Sequence, residues 1–218
     1  MGVSERKERE KLERRNAIVD AAERVFFSQG LERASMEQIA QEAELSKGTL
    51  YLYFKNKEDL FKAVVLRGFI ALRRKLKEAA LPQDSGLENV KAISQAYISF
   101  ANEHLGYFNA ILLYQNDMFD SGDLNGVSIK SLEGGNAVIG VLIHAIEKGI
   151  DDRSILPHIQ PVETAFVLWS QITGLLQVIQ RKMRIISFHY RIKSDDLLNH
   201  YFELLIRSLT NPATETLH

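Results

Sequence analysis

The chain has 218 residues, 45% of them apolar, enough for one or two globular domains, and it has no cysteine, which excludes disulfides and thiol chemistry. Its 27 basic and 28 acidic side chains nearly cancel, so bulk charge gives no general pull toward nucleic acid. The split is uneven, with 17 basic against 13 acidic residues in 1–80 and 10 against 15 in 81–218.

The first dozen residues are mixed-charge and poor in apolar side chains, either an extension of the first helix or a disordered arm. The opening MGVSERKEREKLERR lacks the apolar core of a secretory signal, which leads us to expect a cytoplasmic protein. A helix is expected from about Leu12 to Ser28, because Ala17, Ile18, Ala21, Ala22, Val25 and Phe26 make one apolar stripe. Gly30 ends it as the residue after the C-cap. Arg14 and Arg15 lie on what reads as a solvated face, and Arg33 in the following loop is a candidate phosphate contact.

Two short helices meet at a tight turn in 34–57. Ser35 and Gln38 form a capping box, and Met36, Ile39, Ala40 and Ala43 give the first helix a buried face. Glu44 and Leu45 make the turn, and Ser46 caps a second helix whose Leu50 and Phe54 face inward. Lys47, Thr49, Tyr51 and Tyr53 are then free to point outward, held by a buried support because so short a helix cannot persist alone. Such a helix can enter a major groove. Lys47 suits a phosphate or the acceptor edge of guanine, Gly48 allows close backbone approach, and the Thr49 methyl suits thymine. Tyr51 and Tyr53 can bond phosphates. Asn56 caps the next helix and sets Lys57 at its first position, where an ammonium and free N–H groups would face a phosphate.

The run Ser35-Met36, Ile39-Ala40, Ala43-Glu44-Leu45-Ser46-Lys47-Gly48-Thr49-Leu50-Tyr51, Tyr53-Phe54, Asn56-Lys57-Glu58 and Leu60 resembles the helix-turn-helix of TetR-type bacterial repressors. The likeness extends back to Ala17 and on to about Leu72. It implies an all-α chain of about nine helices: a three-helix DNA-binding head over 12–72, with the helix-turn-helix at about 34–53, and a C-terminal effector-binding and dimerisation domain over 73–211. Glu44 stands where the family most often has Gly. If the turn needs positive φ there, Glu carries strain, and its carboxylate sits near DNA.

The remaining elements read as helices throughout, with no sustained alternation that would make a sheet. A long helix begins at Lys57 and runs to about Ala80, with Leu60, Phe61, Val64, Val65, Gly68, Phe69 and Leu72 inward. Arg67, Arg73, Arg74, Lys75 and Lys77 are expected to be mostly solvated. Helices follow over Leu87–Leu105, Tyr107 to about Met118 after a break at Gly106, Val127–Lys148 with a weak point at Gly134-Gly135, Val162 to about Ile186, and Asp195–Leu209. The polar loop 120–126 lacks the oxygen spacing of a calcium loop. No histidine pairs at helical spacing, and no phosphate loop, nucleophile elbow or HExxH occurs, so neither a metal, a cofactor nor catalysis is expected.

The helix from Val162 is apolar on more than one side, too much for one core to cover. It is short of charge, but Ser170, Gln171, Thr173 and Gln177 argue against a membrane span. A homodimer through a four-helix bundle of the last two helices explains the surplus and agrees with the resemblance. Two recognition helices would then meet a palindromic DNA operator at about 34–36 Å spacing. Tyr97, Phe100, His104, Phe108, Trp169, Thr173 and Gln177, with Leu112, Tyr114 and Phe119, either fill the core or line a cavity. The resemblance implies the cavity, holding a small hydrophobic effector oriented by His104, Thr173 and Gln177. The function expected is a repressor released by that inducer. The alternatives are a DNA-binding regulator with no small-molecule input, and a helical small-molecule binder that has lost DNA binding.

Overall fold

A computed structural model describes residues 3–117 and 126–210. Among them are nine helices and no strand: α1 Val3–Gln29, α2 Met36–Glu42, α3 Lys47–Tyr51, α4 Lys57–Ala79, α5 Gly86–Glu103, α6 Leu105–Asp117, α7 Gly126–Asp151, α8 Pro161–Tyr190 and α9 Ser194–Leu209. Packing forms two compact units, one within Met1–Ile70 and His104–Gly134, the other within Ala71–Glu103 and Gly135–His218. The chain passes from one to the other inside α4, between α5 and α6, and inside α7.

In the first unit, α1 is longer than its apolar stripe. Residues before Leu12 stay helical because Arg6–Glu10 (2.8 Å) and Arg9–Glu13 (3.7 Å) are paired one turn apart. The helix ends at Gly30, whose N–H reaches Phe26 O at 2.9 Å with φ at +82°. Ile18, Ala21, Ala22, Phe26, Ile39, Leu50, Leu60, Val64 and Val65 make a continuous buried core. Edge-to-face ring pairs join α1 to α4 (Phe26–Phe61, 5.6 Å) and α1 to α6 (Phe27–Tyr107, 5.2 Å).

Arg67 is not solvated as its sequence context suggested. Its guanidinium lies against α1, bonded to Asp20 (2.5 Å), Glu23 (3.0 Å) and the Asn16 carbonyl (3.1 Å). The Tyr107 hydroxyl donates to the same Glu23 carboxylate at 2.8 Å, and burial with that carboxylate pushes the phenol's pKa up. The helix break falls at His104 rather than Gly106. Gly106 sits within the first turn of α6, where an added Cβ would lie 2.6 Å from the Phe27 ring, so the glycine serves close approach. The Gly134-Gly135 step stays helical, with Gly134 set against Phe69 and Leu66.

In the second unit, Val90, Ile93, Ala96, Tyr97, Phe100 and Ala101 form the buried face of α5, and Ala165, Leu168, Ile172, Thr173 and Leu176 that of α8. Gly86 and Gly149 bring the start of α5 against the end of α7, since a Cβ on Gly86 would meet the Gly149 backbone nitrogen at 2.0 Å. Asp152 accepts from Gly86 N at 2.7 Å, and Lys148 donates to the carbonyls of Pro82 and Asp84, which satisfies the chain turn between α4 and α5. α8 starts at Pro161 and runs four residues past Ile186, to Tyr190, where Arg191 takes the left-handed conformation.

Candidate nucleic-acid interface and effector region

The helix-turn-helix is held from both sides of its turn. The Ser35 hydroxyl accepts from Gln38 N at 3.2 Å and Gln38 Oε1 accepts from Ser35 N at 2.9 Å, a complete capping box. Ser46 Oγ accepts from Thr49 N at 3.1 Å and lies 2.8 Å from the Thr49 hydroxyl. Leu50 and Phe54 are buried beneath α3, and Arg15 lies over the Phe54 ring at 4.9 Å, so Arg15 braces this support. Between the caps, Glu44 has φ of +55°. The turn therefore does require the left-handed region at a residue with a Cβ, a local cost of about 1 kcal/mol.

This frame leaves Arg33, Ser35, Ser46, Lys47, Gly48 and Tyr51 exposed, with Thr49, Tyr53 and Lys57 half-buried. Several already have partners. Lys47 Nζ lies 3.9 Å from Glu37, and Lys57 Nζ donates to the Glu32 carbonyl at 3.3 Å, which sets it beside the Arg33 loop. The Thr49 hydroxyl is held at the cap by Ser46. Asn56 Oδ1 accepts from Asp59 N at 2.8 Å, so the helix that carries Lys57 has its expected cap. Sequence reasoning passed over Leu52, which is 83% exposed directly after α3. An apolar residue flanked by two tyrosines reads as core until the helix phase is known.

In the second unit, the Tyr97 hydroxyl and the Thr173 hydroxyl are 2.9 Å apart, and burial pushes the Tyr97 phenol up. Tyr97 and Trp169 border a cavity of about 30 Å³ with Leu76, Ile93, Val138 and Leu168. That volume holds little more than a water. Phe100 is fully buried and Gln177 half-buried in the same unit. His104 and Phe108 belong to the first unit, His104 exposed beside the Tyr107 ring and Phe108 buried. Leu112 and Tyr114 lie there too, and Phe119 is outside the described residues. A larger cleft of about 740 Å³ opens between α4, α5 and α7. No cluster of His, Asp and Glu able to hold a metal occurs among the described residues.

Residues 18–64 match the family model described as bacterial regulatory proteins, tetR family. The HTH-type transcriptional regulator SrpR of Pseudomonas putida is 30% identical over 168 residues, covering 75% of this chain and 74% of SrpR. The chain belongs to the TetR family. It is a DNA-binding transcriptional regulator, and this family acts by binding DNA and not by catalysis. The chain is also similar to the fatty acid metabolism regulator protein of Bacillus subtilis, 29% identical and covering 61% of this chain and 68% of that one. Among solved structures, the regulator FadR of Bacillus subtilis, in complex with stearoyl-CoA, has the same fold. Its TM-score is 0.61 at 21% identity, over 88% of this chain and 97% of that one. α8 is long and apolar enough by composition to cross a membrane. In this TetR-family chain it is a core helix, contributing the buried face described above.

Proposed function

We propose that the chain is a cytoplasmic, homodimeric repressor that binds a palindromic operator and leaves it when a small hydrophobic effector binds. The observation that supports the DNA-binding face is the helix-turn-helix capped at Ser35 and Ser46 and braced from within, whose α3 presents Lys47, Thr49 and Tyr51 outward. Lys47 reads guanine or grips phosphate, the Thr49 methyl meets thymine, and Tyr51 and Tyr53 bond phosphates. Gly48 lets the backbone come close, Ser35 and Ser46 fix the two helices, and Arg33 and Lys57 hold the flanking phosphate. Lys47 exchanges Glu37 for DNA on binding. Lys47→Ala and Tyr51→Ala should each weaken operator binding about tenfold or more in a mobility-shift titration, with the circular dichroism unchanged. Affinity equal to that of the parent would remove this face from the site.

The dimer is supported by the apolar side chains that α8 and α9 leave uncovered: Phe166, Val167, Ile185, Phe188 and Leu204 are all exposed in the single chain. A second copy would bury them in a bundle of α8 and α9 from each subunit. The effector region is centred on Tyr97, Trp169 and Thr173, with Phe100 and Gln177 beside them in the same unit and His104 and Phe108 as further candidates. Entry there needs side-chain movement, because a space of about 30 Å³ is too small for a ligand larger than water. The ligand would favour an opened state and shift the population away from the operator-binding one. The relatives named for fatty acid metabolism and for stearoyl-CoA support a hydrophobic compound.

The small cavity favours one other reading, in which the second unit only dimerises or docks a protein. Trp169 is the single tryptophan, so its emission separates the two. Fatty acids that shift the emission and release the operator support the effector, and an emission unmoved across chain lengths supports the second reading.

A further inference from the structure

A more open space in the second unit than the aromatic cavity is the cleft of about 740 Å³ between the end of α4, the start of α5 and the middle of α7. Its volume is that of a small-molecule site. The floor is made by Ala80, Leu81, Ala137, Gly140, Val141 and Ala145, small or apolar residues that leave room. The polar part of the wall has one sign. Arg73, Lys77, His144 and Lys148 line it, and no Asp or Glu does. Lys148 is committed to the carbonyls of Pro82 and Asp84, but it keeps its charge in the wall. His144 leans on Glu147 at 3.8 Å. Arg73 and Lys77 lie one turn apart on α4, exposed, and make no hydrogen bond or ion pair with any described residue.

Two adjacent cations without partners among the described residues, over an apolar floor, make a poor surface for a neutral hydrophobe. They suit a molecule with an anionic head and an apolar body. We propose that this cleft binds a small anionic amphiphile, with its carboxylate or phosphate on Arg73 and Lys77 and its apolar body along Ala137, Gly140 and Val141. The site is separate from the Tyr97–Trp169 cavity and does not depend on the operator reading, because its binding is measured without DNA.

The test is titration calorimetry of the full chain with three ten-carbon probes below micelle formation: decanoate, decyl phosphate and decanol. One or both anions should bind, with decanol at least about tenfold weaker, since each hydrogen bond to a charged group contributes on that order. The tighter anion identifies the head group. The double variant Arg73→Gln/Lys77→Gln should lose at least about tenfold for the anions and nothing for decanol, at an unchanged melting temperature. Gly140→Leu, whose Cβ meets nothing within 4 Å, should fill the cleft and abolish binding of the anions while Trp169 emission stays as in the parent. Decanol binding as tightly as the anions, full anion affinity in either variant, or no binding by any probe would overturn the proposal. Operator affinity of the unliganded double variant, measured separately, reports on the DNA-binding reading alone.

Discussion

The two units hold their parts together in different ways. In the DNA-binding head, the decisive contacts are local. Ser35 meets Gln38, Ser46 meets Thr49, and Asn56 meets Asp59, each three residues apart. In the second unit they are distant. Tyr97 meets Thr173 across 76 residues, and Gly86 meets Gly149. A short stretch can therefore specify the helix-turn-helix, whereas the second unit's cavities exist only after long-range packing. The same difference decides what a methyl group does. A Cβ on Gly86 would strike the Gly149 backbone at 2.0 and 2.2 Å and the Ala145 carbonyl at 2.6 Å, none of which can swing aside. Gly86→Ala should cost about 3 kcal/mol in urea unfolding, at the upper end for overpacking. On Gly48 of the head, the nearest neighbour to a Cβ is Ser46 Oγ at 3.9 Å. Gly48→Ala should keep or slightly raise stability while weakening the operator complex. Equal loss of stability at both positions would erase the contrast.

The next effect probes a place where the first unit is tied by distant contacts. Arg67 is about one-quarter exposed and neutralises Asp20 and Glu23, which belong to one turn of α1. Arg67→Met would leave the two carboxylates facing each other, with the Tyr107 hydroxyl still donating to Glu23. The expected cost is about 1–2 kcal/mol, allowing for solvent screening, and it should shrink in high salt. A salt-independent cost would mean that the arginine acts by packing its stem instead.

Most of the element plan was legible from periodicity and caps, because both are local. Ser35, Ser46, Gly30 and Asn56 mark ends that the structure keeps. The errors have a common cause. Gly106 read as a break and Gly134 as a weak point within a helix, since glycine weakens a helix, yet both are helical and serve close packing against Phe27 and Phe69. Arg67 read as solvated because its partners lie more than 40 residues away. The 740 Å³ cleft could not be read at all, because Arg73, Ala137 and His144 share no local pattern.

A smaller effect returns to the head. Glu44 holds φ of +55° in the turn, where a Cβ costs about 1–2 kcal/mol and glycine's greater unfolded-chain entropy returns part of the difference. Glu44→Gly should raise stability by about 0.5–1 kcal/mol and tighten operator binding by removing a carboxylate near the phosphates. If stability rises and affinity stays constant, the carboxylate lies away from the duplex.

The smallest effect belongs to the second unit, where packing outranks polar satisfaction. The Tyr201 hydroxyl is buried and makes no well-formed hydrogen bond among the described residues, although the Ser94 side chain acts on it weakly; it lies beside the Phe202 ring at 5.3 Å, and burial pushes the phenol up to about 12. Tyr201→Phe keeps the ring and removes a poorly paired polar group, so it should be neutral or stabilising by up to about 1 kcal/mol near pH 7. The pH dependence gives the sharper readout. An unfolded tyrosine titrates near about 10, and the folded one titrates higher, so the folded state holds the extra proton between those values. Stability from this group is therefore complete below pH 10 and falls as pH rises toward 12. Tyr97, Tyr107 and Tyr114 are shifted the same way and keep their share of the alkaline loss. Urea midpoints of the parent and of Tyr201→Phe should diverge only above pH 10, with the variant the more stable. Parallel curves would show that the hydroxyl finds water or a partner in solution.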